Sequence, residues 1–386
     1  MFSPFFLGAF VWNFAHGLTN VLVPLYALDL GYSGMKIGSL LALPVVLQLV
    51  FNLIGGAYVD RIGAKNMLYA SCVAIVLAAT TFQVSDSFGA MMLGFSLFVL
   101  SRASFWPANY ALGSQLPGDR SRNMGWLNSV TNAGQISGTA VCGMLIVAIG
   151  FKASFWLTAL TGLAAYLLNS ALRANAVRRN AQPHGIFETY RRLATQRAMY
   201  FGMACAFLSV LPFTIVASFG AILLVSDGYS TGETGWLLTL RAIGAIFAGA
   251  ALARVFRAPL DRRVPLWSCT VIGAGFALLP VFQSAWPVAI FILMLGISSG
   301  VVSIYFQLLI SALSPSDQRG SAISFGGIGW NLCNFVTPLA MGAFMDAWGI
   351  RTAFYLLGAL MLGLAAVLAP LYRWALPAGI ASERGS

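Results

Sequence analysis

The sequence contains little charge: Asp, Glu, Lys and Arg together account for 9% of its 386 residues, whereas 59% are hydrophobic. Because a soluble domain carries about 25% charged residues, this composition excludes an ordinary soluble protein. Apolar runs of about 20 residues, each long enough to cross a bilayer as a helix, recur along the whole chain. The alternating pattern of a membrane barrel is absent. The sequence therefore predicts an all-α membrane protein, since helices satisfy their own backbone groups in lipid.

Side chains with nucleophilic or metal-binding chemistry are also few. The five cysteines stand singly in apolar runs and are predicted to be small hydrophobic residues in helices: Cys72, Cys142, Cys205, Cys269 and Cys333. No nucleophile–base pair, metal cluster or ATP-binding loop can be recognised, so the sequence predicts no enzymatic activity, no metal, no cofactor and no direct use of ATP. The N-terminus lacks the basic region and cleavage site of a signal peptide, so we expect the first apolar run to be retained as a helix.

Twelve transmembrane helices are predicted, in two sets of six. The first set covers 5–28, 36–58, 67–84, 89–112, 124–149 and 154–172, and the second covers 199–225, 235–256, 265–283, 287–312, 320–345 and 352–373. The polar stretch between the sets predicts a linker, in which 186–193 has the pattern of a short amphipathic helix on the membrane surface. The predicted organisation is an N-terminal half at 1–173, a cytoplasmic linker at 174–198 and a C-terminal half at 199–386.

The net charge of +11 is distributed unevenly between the two sides of these helices. If both termini are cytoplasmic, the outer loops contain only Lys36, Lys152 and Arg351 of the 22 basic residues, and the helices contain Arg102 and Arg241. The other 17 then lie on the cytoplasmic side, as the positive-inside rule requires. This predicts a bacterial inner or plasma membrane protein whose cytoplasmic loops face anionic lipid headgroups, and it explains the basic charge without nucleic acid.

An internal repeat relates the two sets of helices. Residues 38–43 (GSLLAL) match 235–240 (GWLLTL) at an offset of 197, and 150–157 (GFKASFWL) match 349–356 (GIRTAFYL) at an offset of 199. Because each unit contains an even number of helices, the two copies have the same orientation in the membrane. Parallel six-helix repeats with a binding site near the midplane between them are typical of transporters.

A motif of glycines and charges follows the second predicted helix. The segment 56–65 (GAYVDRIGAK) has the spacing G-x-x-x-D-R-x-G-x-K, formed by Gly56, Asp60, Arg61, Gly63 and Lys65. It resembles the signature loop of the major facilitator superfamily, and the resemblance extends through the helix count, the repeat and the linker, with one departure at Asn66. It implies a secondary active transporter in which this loop latches the two halves on the cytoplasmic side. Gly63 is predicted to permit a tight turn with positive φ. The alternative to the latch is a loop that merely turns and anchors to headgroups.

A second glycine pattern lies in the fifth predicted helix. Its spacing resembles the glycine-rich motif of the superfamily's antiporters, and it consists of Gly125, Gly134, Gly138 and Gly143. Thr139 and Cys142 stand where that motif has a proline and a glycine, which weakens the antiporter interpretation. The alternative is close helix packing through small residues.

Two arginines fall inside predicted helices, and no Asp or Glu lies deep in any of them. Arg102 is in the fourth predicted helix and Arg241 in the eighth. A charged side chain at mid-membrane costs about 2.5–3.5 kcal/mol, so such residues are expected to be functional. Guanidinium binds carboxylate, phosphate or sulfonate well, which predicts an anionic substrate. The resemblance agrees, since arginines on these helices occur in proton-coupled antiporters and organic-anion carriers; the alternative is a structural role.

Polar side chains recur on helix faces near these arginines and complete the predicted substrate-binding set: Asn13, His16, Asn20, Trp106, Asn128, Asn132, Gln135, Tyr305, Gln307, Asn331 and Asn334. In the family, helices at these positions line the substrate cavity, but amides also join helices to one another. His16 is the one intramembrane group that titrates near neutral pH, so it is a candidate for a coupling proton. Its alternative is a hydrogen-bonded cavity residue.

The predicted function is secondary active transport of a small organic solute, anionic or amphiphilic, by alternating access. The alternative is a proton-coupled multidrug or metabolite efflux antiporter. A membrane enzyme or receptor has no supporting motif. The predicted partners are the small-molecule substrate, a candidate coupling proton and anionic lipid, with no nucleic acid, and the protein is predicted to be a monomer.

Overall fold

The computed structural model describes residues 4–51, 63–113, 116–117, 119–171, 191–255, 261–313 and 319–375. Within these ranges the chain is helical and contains no strand. The first six helices are α1 (Pro4–Asp29), α2 (Gly34–Phe51), α3 (Ala64–Val84), α4 (Phe88–Gly113), and α5 and α6, which together form Arg120–Ser170 and are separated at Gly150. The other six are α7 (Arg197–Ser226), α8 (Thr231–Val255), α9 (Arg263–Val281), α10 (Ala285–Leu313), α11 (Arg319–Gly326 and Ile328–Trp348) and α12 (Ile350–Ala375).

The helices are long and apolar enough to span a bilayer. Among the described residues, nine helical stretches meet this condition by length and composition. One of them, Arg122–Ser170, has 49 residues and therefore suffices for two crossings, which are α5 and α6. The loop predicted between 149 and 154 is shorter than expected, because the chain changes direction at Gly150 alone (φ 79°, ψ 172°).

Glycines with positive φ mark the same turns in both sets of helices. Gly31 (φ 73°) and Gly228 (φ 92°) precede α2 and α8, and Gly150 (φ 79°) and Gly349 (φ 81°) precede α6 and α12. The two pairs are separated by 197 and 199 residues, the same offsets as the sequence repeat. Side chains with a Cβ rarely adopt this conformation, so the duplication keeps glycine at both copies of each turn.

The helices form two compact units, which we describe separately. Unit 1 comprises Met1–Ala181 with Leu224–Thr239, and unit 2 comprises Gln182–Leu223 with Leu240–Ser386. The end of α7 and the beginning of α8 thus belong to unit 1, although the sequence assigns them to the second repeat. The predicted linker and its amphipathic segment lie mostly outside the described residues, and the predicted boundaries of the halves remain a prediction.

In unit 1, α1 packs tightly against α5 through glycines. A Cβ added at Gly17 would lie 2.2 Å from the Gln135 carbonyl oxygen, and one added at Gly138 would lie 2.1 Å from the Phe14 carbonyl oxygen. Gly134 meets α1 in the same way. A Cβ at Gly143 would also collide with backbone, in this case at Thr231 at the start of α8. Three of the four glycines of the α5 pattern therefore allow close packing.

In unit 2, glycines allow α8 to pack just as closely against α10. A Cβ at Gly296 would lie 2.0 Å from the Arg241 carbonyl oxygen, and one at Gly244 would lie 2.3 Å from the Leu293 carbonyl oxygen. The backbone that carries Arg241 is thus held against α10 without any intervening side chain. The position of this arginine along the bundle is therefore set by tight backbone contact.

Candidate functional site

The first candidate site lies in unit 1 around Arg102 of α4. The Arg102 Nη2 donates a hydrogen bond to the Gln48 Oε1 of α2 at 2.6 Å, and both side chains are partly exposed. No carboxylate of a described residue pairs with this guanidinium. Its partner is a neutral amide, which accepts a hydrogen bond but leaves the positive charge uncompensated. The cost of placing that charge in the membrane is thus met only in part by the described residues.

Beside Arg102, four rings from α1 and α4 form an aromatic column: Phe98, His16, Trp12 and Phe105. The ring centroids of Phe98 and His16 are 4.9 Å apart, and those of His16 and Trp12 are 5.3 Å apart. Trp12 lies 3.7 Å from Phe105 at an interplanar angle of 4°. All four side chains are buried. The column fixes the α1–α4 contact and holds the imidazole between two apolar rings.

His16 has one hydrogen-bond partner among the described residues, Asn20. Its Nδ1 lies 3.1 Å from the Asn20 Nδ2, and because the amide nitrogen can only donate, Nδ1 is the acceptor. A neutral imidazole then carries its proton on Nε2, which has no partner among the described residues. The Trp12 Nε1 and the Asn109 Nδ2 are likewise buried donors without a partner in this part of the chain. The interface between α1 and α4 is therefore rich in donors and poor in acceptors.

The second candidate site lies in unit 2 around Arg241 of α8. Its guanidinium carbon lies 4.8 Å from the centre of the Phe213 ring of α7, and the side chain is partly exposed. A cation over an aromatic face is attracted by the ring quadrupole, which contributes about 0.5–2 kcal/mol. As with Arg102, no described carboxylate pairs with this arginine.

Hydrogen bonds join α7 to α11 at the residue that follows Phe213. The Thr214 Oγ1 donates to the Asn334 Oδ1 at 2.6 Å, and the Asn334 Nδ2 donates to the Trp330 carbonyl oxygen at 2.9 Å. The Trp330 Nε1 donates to the Ser209 Oγ at 3.0 Å. Asn334 therefore serves the contact between two helices, as the packing alternative predicts for amides in membranes.

The remaining predicted residues differ in exposure, and of these Asn20 lies against His16, as described above. Asn13 is buried, donates to its own helix at the Ala9 carbonyl oxygen (2.8 Å) and lies beside α5. Tyr305 is fully buried whereas Gln307 is exposed, because residues two apart lie on different sides of a helix. The others are exposed (Asn128, Asn132) or partly exposed (Asn20, Trp106, Gln135, Asn331).

The signature-loop residues are described only in part. Gly56, Asp60 and Arg61 lie outside the described residues. Gly63 has φ 88° at the start of α3, which confirms the predicted positive-φ turn. The Lys65 Nζ donates to the Ser170 carbonyl oxygen of α6 at 3.4 Å, so this basic residue contacts the end of a helix in its own unit.

An ion pair at the rim of unit 1 contrasts with the two arginines. The Lys152 ammonium, which follows Gly150, pairs with the Asp86 carboxylate between α3 and α4. The Tyr26 hydroxyl donates to the same carboxylate at 2.6 Å, and the Tyr32 hydroxyl donates to the Asp86 carbonyl oxygen at 2.6 Å. Contact with Lys152 and then with Tyr26 lowers the pKa of Asp86. This acid and its basic partner lie outside the bundle interior, since both side chains are well exposed.

Sequence reasoning missed several residues that contact the two arginines and His16. Gln48 and Phe213 contact Arg102 and Arg241, and Trp12, Phe98 and Phe105 form the aromatic column. A single amide in an apolar run was a usable signal for Gln48. Phenylalanines are so frequent in this chain that the sequence does not indicate which of them contact an arginine or His16 and which belong to the core.

The helical membrane bundle has a duplicated turn pattern, and its described residues include two intramembrane guanidiniums without a carboxylate partner, which agrees with the predicted class of membrane transporter. The sequence model of the Major Facilitator Superfamily matches residues 5–223 and 198–386. The chain therefore belongs to the Major Facilitator Superfamily, and the predicted family is confirmed.

Two curated relatives agree over most of the chain. The chain is 22% identical over 380 residues to "Quinolone resistance protein NorA" of Staphylococcus aureus, covering 91% of this chain and 92% of the relative. It is 27% identical over 370 residues to "Probable nitrate/nitrite transporter NarK2" of Mycobacterium tuberculosis, covering 85% of each. Both are named for transport or resistance, which agrees with the transporter assignment.

Solved structures confirm the predicted fold class. The nucleoside transporter NupG is similar with a TM-score of 0.79 at 13% identity, covering 96% of this chain and 98% of that chain. A bacterial homologue of the human lysosomal transporter Spinster, inward-facing and occupied, has a TM-score of 0.76 at 15% identity, covering 97% and 96%. The protein thus has the twelve-helix major facilitator fold and is an integral membrane protein.

Proposed function

We propose that this transporter carries a small organic anion across the bacterial inner membrane by alternating access, with Arg102 and Arg241 as the counter-charges for the solute. The proposal rests on the observation that both arginines contact uncharged side chains. The Gln48 amide accepts a hydrogen bond from Arg102, and the Phe213 ring lies against Arg241. Asp86, the described acid that forms an ion pair, pairs instead with Lys152 at the exposed end of unit 1.

The Arg102 site favours an anion for a second reason. Buried donors left without an acceptor cost about 1–3 kcal/mol each. His16, Trp12 and Asn109 each contribute such a donor to the α1–α4 interface. A carboxylate or similar group has only acceptors to offer, so a solute that reached these donors would satisfy them as well as the charge of Arg102.

Proton-coupled efflux of drugs is the second candidate function. NorA, the relative quoted above, is named for quinolone resistance. The rings of Trp106 and Tyr110, which are 5.5 Å apart and partly or well exposed, suit flat ligands. Against this candidate, no carboxylate lies deep in a described helix as a proton carrier. His16, the alternative carrier, is buried between the rings of Trp12 and Phe98.

The proposed mechanism of transport is based on the major facilitator fold. We propose that both termini are cytoplasmic, that the protein works as a monomer, and that the loop with Gly56, Asp60 and Arg61 latches the cytoplasmic side during the transport cycle. The contact of Lys65 with the end of α6 anchors one end of this loop. An ion gradient drives transport in this scheme.

Uptake into proteoliposomes tests the proposal. Purified protein is assayed against a panel of organic anions and cationic drugs, with Arg102→Ala, Arg241→Ala and, as a control, Arg122→Ala at the exposed start of α5. Charge-assisted hydrogen bonds contribute about 1.5–3 kcal/mol, so we expect each intramembrane substitution to raise the KM for the anion by about tenfold or more. Transport of cationic drugs that is equal in all variants, with no anion transport, overturns the anion proposal and leaves efflux.

A further inference from the structure

One end of unit 2 carries exposed arginines and aromatic rings that lie outside the two candidate sites. We call it the arginine–tryptophan patch. It is formed where α7 begins and α12 ends, at the boundary of two membrane spans, and contains Arg191, Arg192, Arg197, Tyr200, Arg373 and Trp374. Trp374 is 48% exposed and Tyr200 is 44% exposed. Large aromatic rings at the ends of membrane helices are typical of the headgroup region of a bilayer.

The patch is held together by direct contacts between α7 and α12. The Arg197 guanidinium carbon lies 5.2 Å from the centre of the Trp374 ring, and the Tyr200 ring lies 6.5 Å from it. Arg373 precedes the tryptophan in the last turn of α12. Arg197 therefore lies against the Trp374 indole, and Arg373 is the neighbour of this tryptophan along α12.

The short turn before α7 carries two more arginines. Leu193 of this turn is 3% exposed and anchors it to the unit. The Tyr200 hydroxyl donates to the Ala194 carbonyl oxygen at 2.8 Å, which ties the turn back to α7. Arg191 and Arg192 lie on the exposed side of this turn. The backbone of this turn is thus held against the unit by Leu193 and Tyr200.

The charge of the patch is positive. Asp261, an acid near this end of the unit in the α8–α9 connection, accepts the backbone N–H of Arg263 at 2.9 Å and so caps the start of α9. Neither Arg197 nor Arg373 pairs with a carboxylate of a described residue. Guanidinium groups beside an indole at headgroup depth offer a planar donor fork for a phosphate diester, with an apolar face for the glycerol region.

We propose that the arginine–tryptophan patch binds the headgroup of an anionic phospholipid, with its phosphate on Arg197 and Arg373 and its glycerol region against Trp374. Arg191 and Arg192 add to the local positive potential, which concentrates anionic lipid near the surface. The bound lipid bridges the first turn of α7 and the last turn of α12. This inference does not depend on the identity of the transported solute.

Native mass spectrometry of the full-length protein, released from bilayers of phosphatidylglycerol and phosphatidylcholine, tests this site. We expect the wild-type protein to retain phosphatidylglycerol in preference, and Arg197→Gln and Arg373→Gln each to lower that preference about fivefold. Arg122→Gln, which removes an equally exposed arginine from unit 1, is the matched control and should change nothing. Trp374→Ala should also lower the preference, because the ring holds Arg197.

Three results would overturn the proposal. The first is equal retention of the two lipids by the wild type, and the second is a loss in Arg122→Gln as large as that in Arg197→Gln. The third is displacement of the lipid by inorganic phosphate, which would identify the site as one for a soluble anion. Melting of each variant in phosphatidylcholine alone shows whether it is folded. Arg197→Lys, which keeps the charge, should retain most of the preference if Arg197→Gln fails to fold.

Discussion

At the scale of single residues, the neutral partner of Arg102 is the most informative contact in the molecule. A functional arginine and a structural arginine look alike in sequence, and they differ in what they contact. If Arg102 served only to hold α2 and α4 together, a carboxylate at position 48 would serve better than an amide. The amide positions the guanidinium through Gln48 Oε1 at 2.6 Å and preserves its charge for another group.

The substitution Gln48→Glu therefore separates the two roles. It places a carboxylate against Arg102, and we expect it to raise the KM for an anionic solute by about tenfold or more, because the internal acid competes for a charge-assisted bond. Thermal stability should be unchanged or higher. Concentration-dependent uptake measures the effect, and Gln48→Leu is the control for loss of the amide. An unaltered KM in Gln48→Glu would show that the solute does not contact Arg102.

A second prediction at this scale concerns Asp86 at the rim. Because its pKa in the folded protein is below the ordinary value of 3.8, its contacts stabilise the fold above that value and lose their effect as the pH falls through the folded pKa. The groups are well exposed, so the effect is small. We expect Asp86→Asn to lower the Tm by on the order of 1 °C at neutral pH, and the difference from the wild type to disappear as the pH falls through the folded pKa of Asp86. A Tm difference that persists in acid would refute this account.

At the scale of helices, glycines determine which pairs of helices can pack in close backbone contact. The helix α5 carries both a glycine in tight contact and a glycine in open space. A Cβ at Gly138 would lie 2.1 Å from the Phe14 carbonyl oxygen, whereas one at Gly125 would have nothing within 4 Å. The carbonyl is backbone and cannot rotate away, so α1 must move as a whole to admit a side chain.

These two glycines give a matched pair of substitutions. We expect Gly138→Ala to destabilise the protein by about 1–3 kcal/mol through overpacking. Gly125→Ala should be neutral or stabilising, because alanine favours a helix by about 1 kcal/mol over glycine. Melting in detergent measures both. Equal Tm values for the two variants would mean that the α1–α5 contact is looser than the structure has it.

At the scale of the whole molecule, the duplicated turns and the distribution of charge predict how the chain lies in the membrane. The repeat sets the same orientation for both sets of six helices, and the basic residues then assign the cytoplasmic side. The five native cysteines are all buried, so they give little background in labelling experiments.

Labelling of introduced cysteines in intact cells tests this topology. We expect Ser284→Cys, exposed between α9 and α10, to react with a membrane-impermeant maleimide, and Arg122→Cys to react only after the cells are opened. The reverse pattern would place both termini outside and would move the latch to the other side of the membrane.

The sequence by itself determined the membrane class, the helix count, the repeat and the family, because each depends on local composition or on spacing along the chain. Apolar runs fix spans, and glycines at two offsets fix turns. Only the tertiary structure decided which polar residues share a site. It set Gln48 against Arg102 and Phe213 against Arg241, and it placed Tyr305 and Gln307 on different sides of α10. The arginine contacts join helices that are distant along the chain, so no periodicity within one helix specifies them.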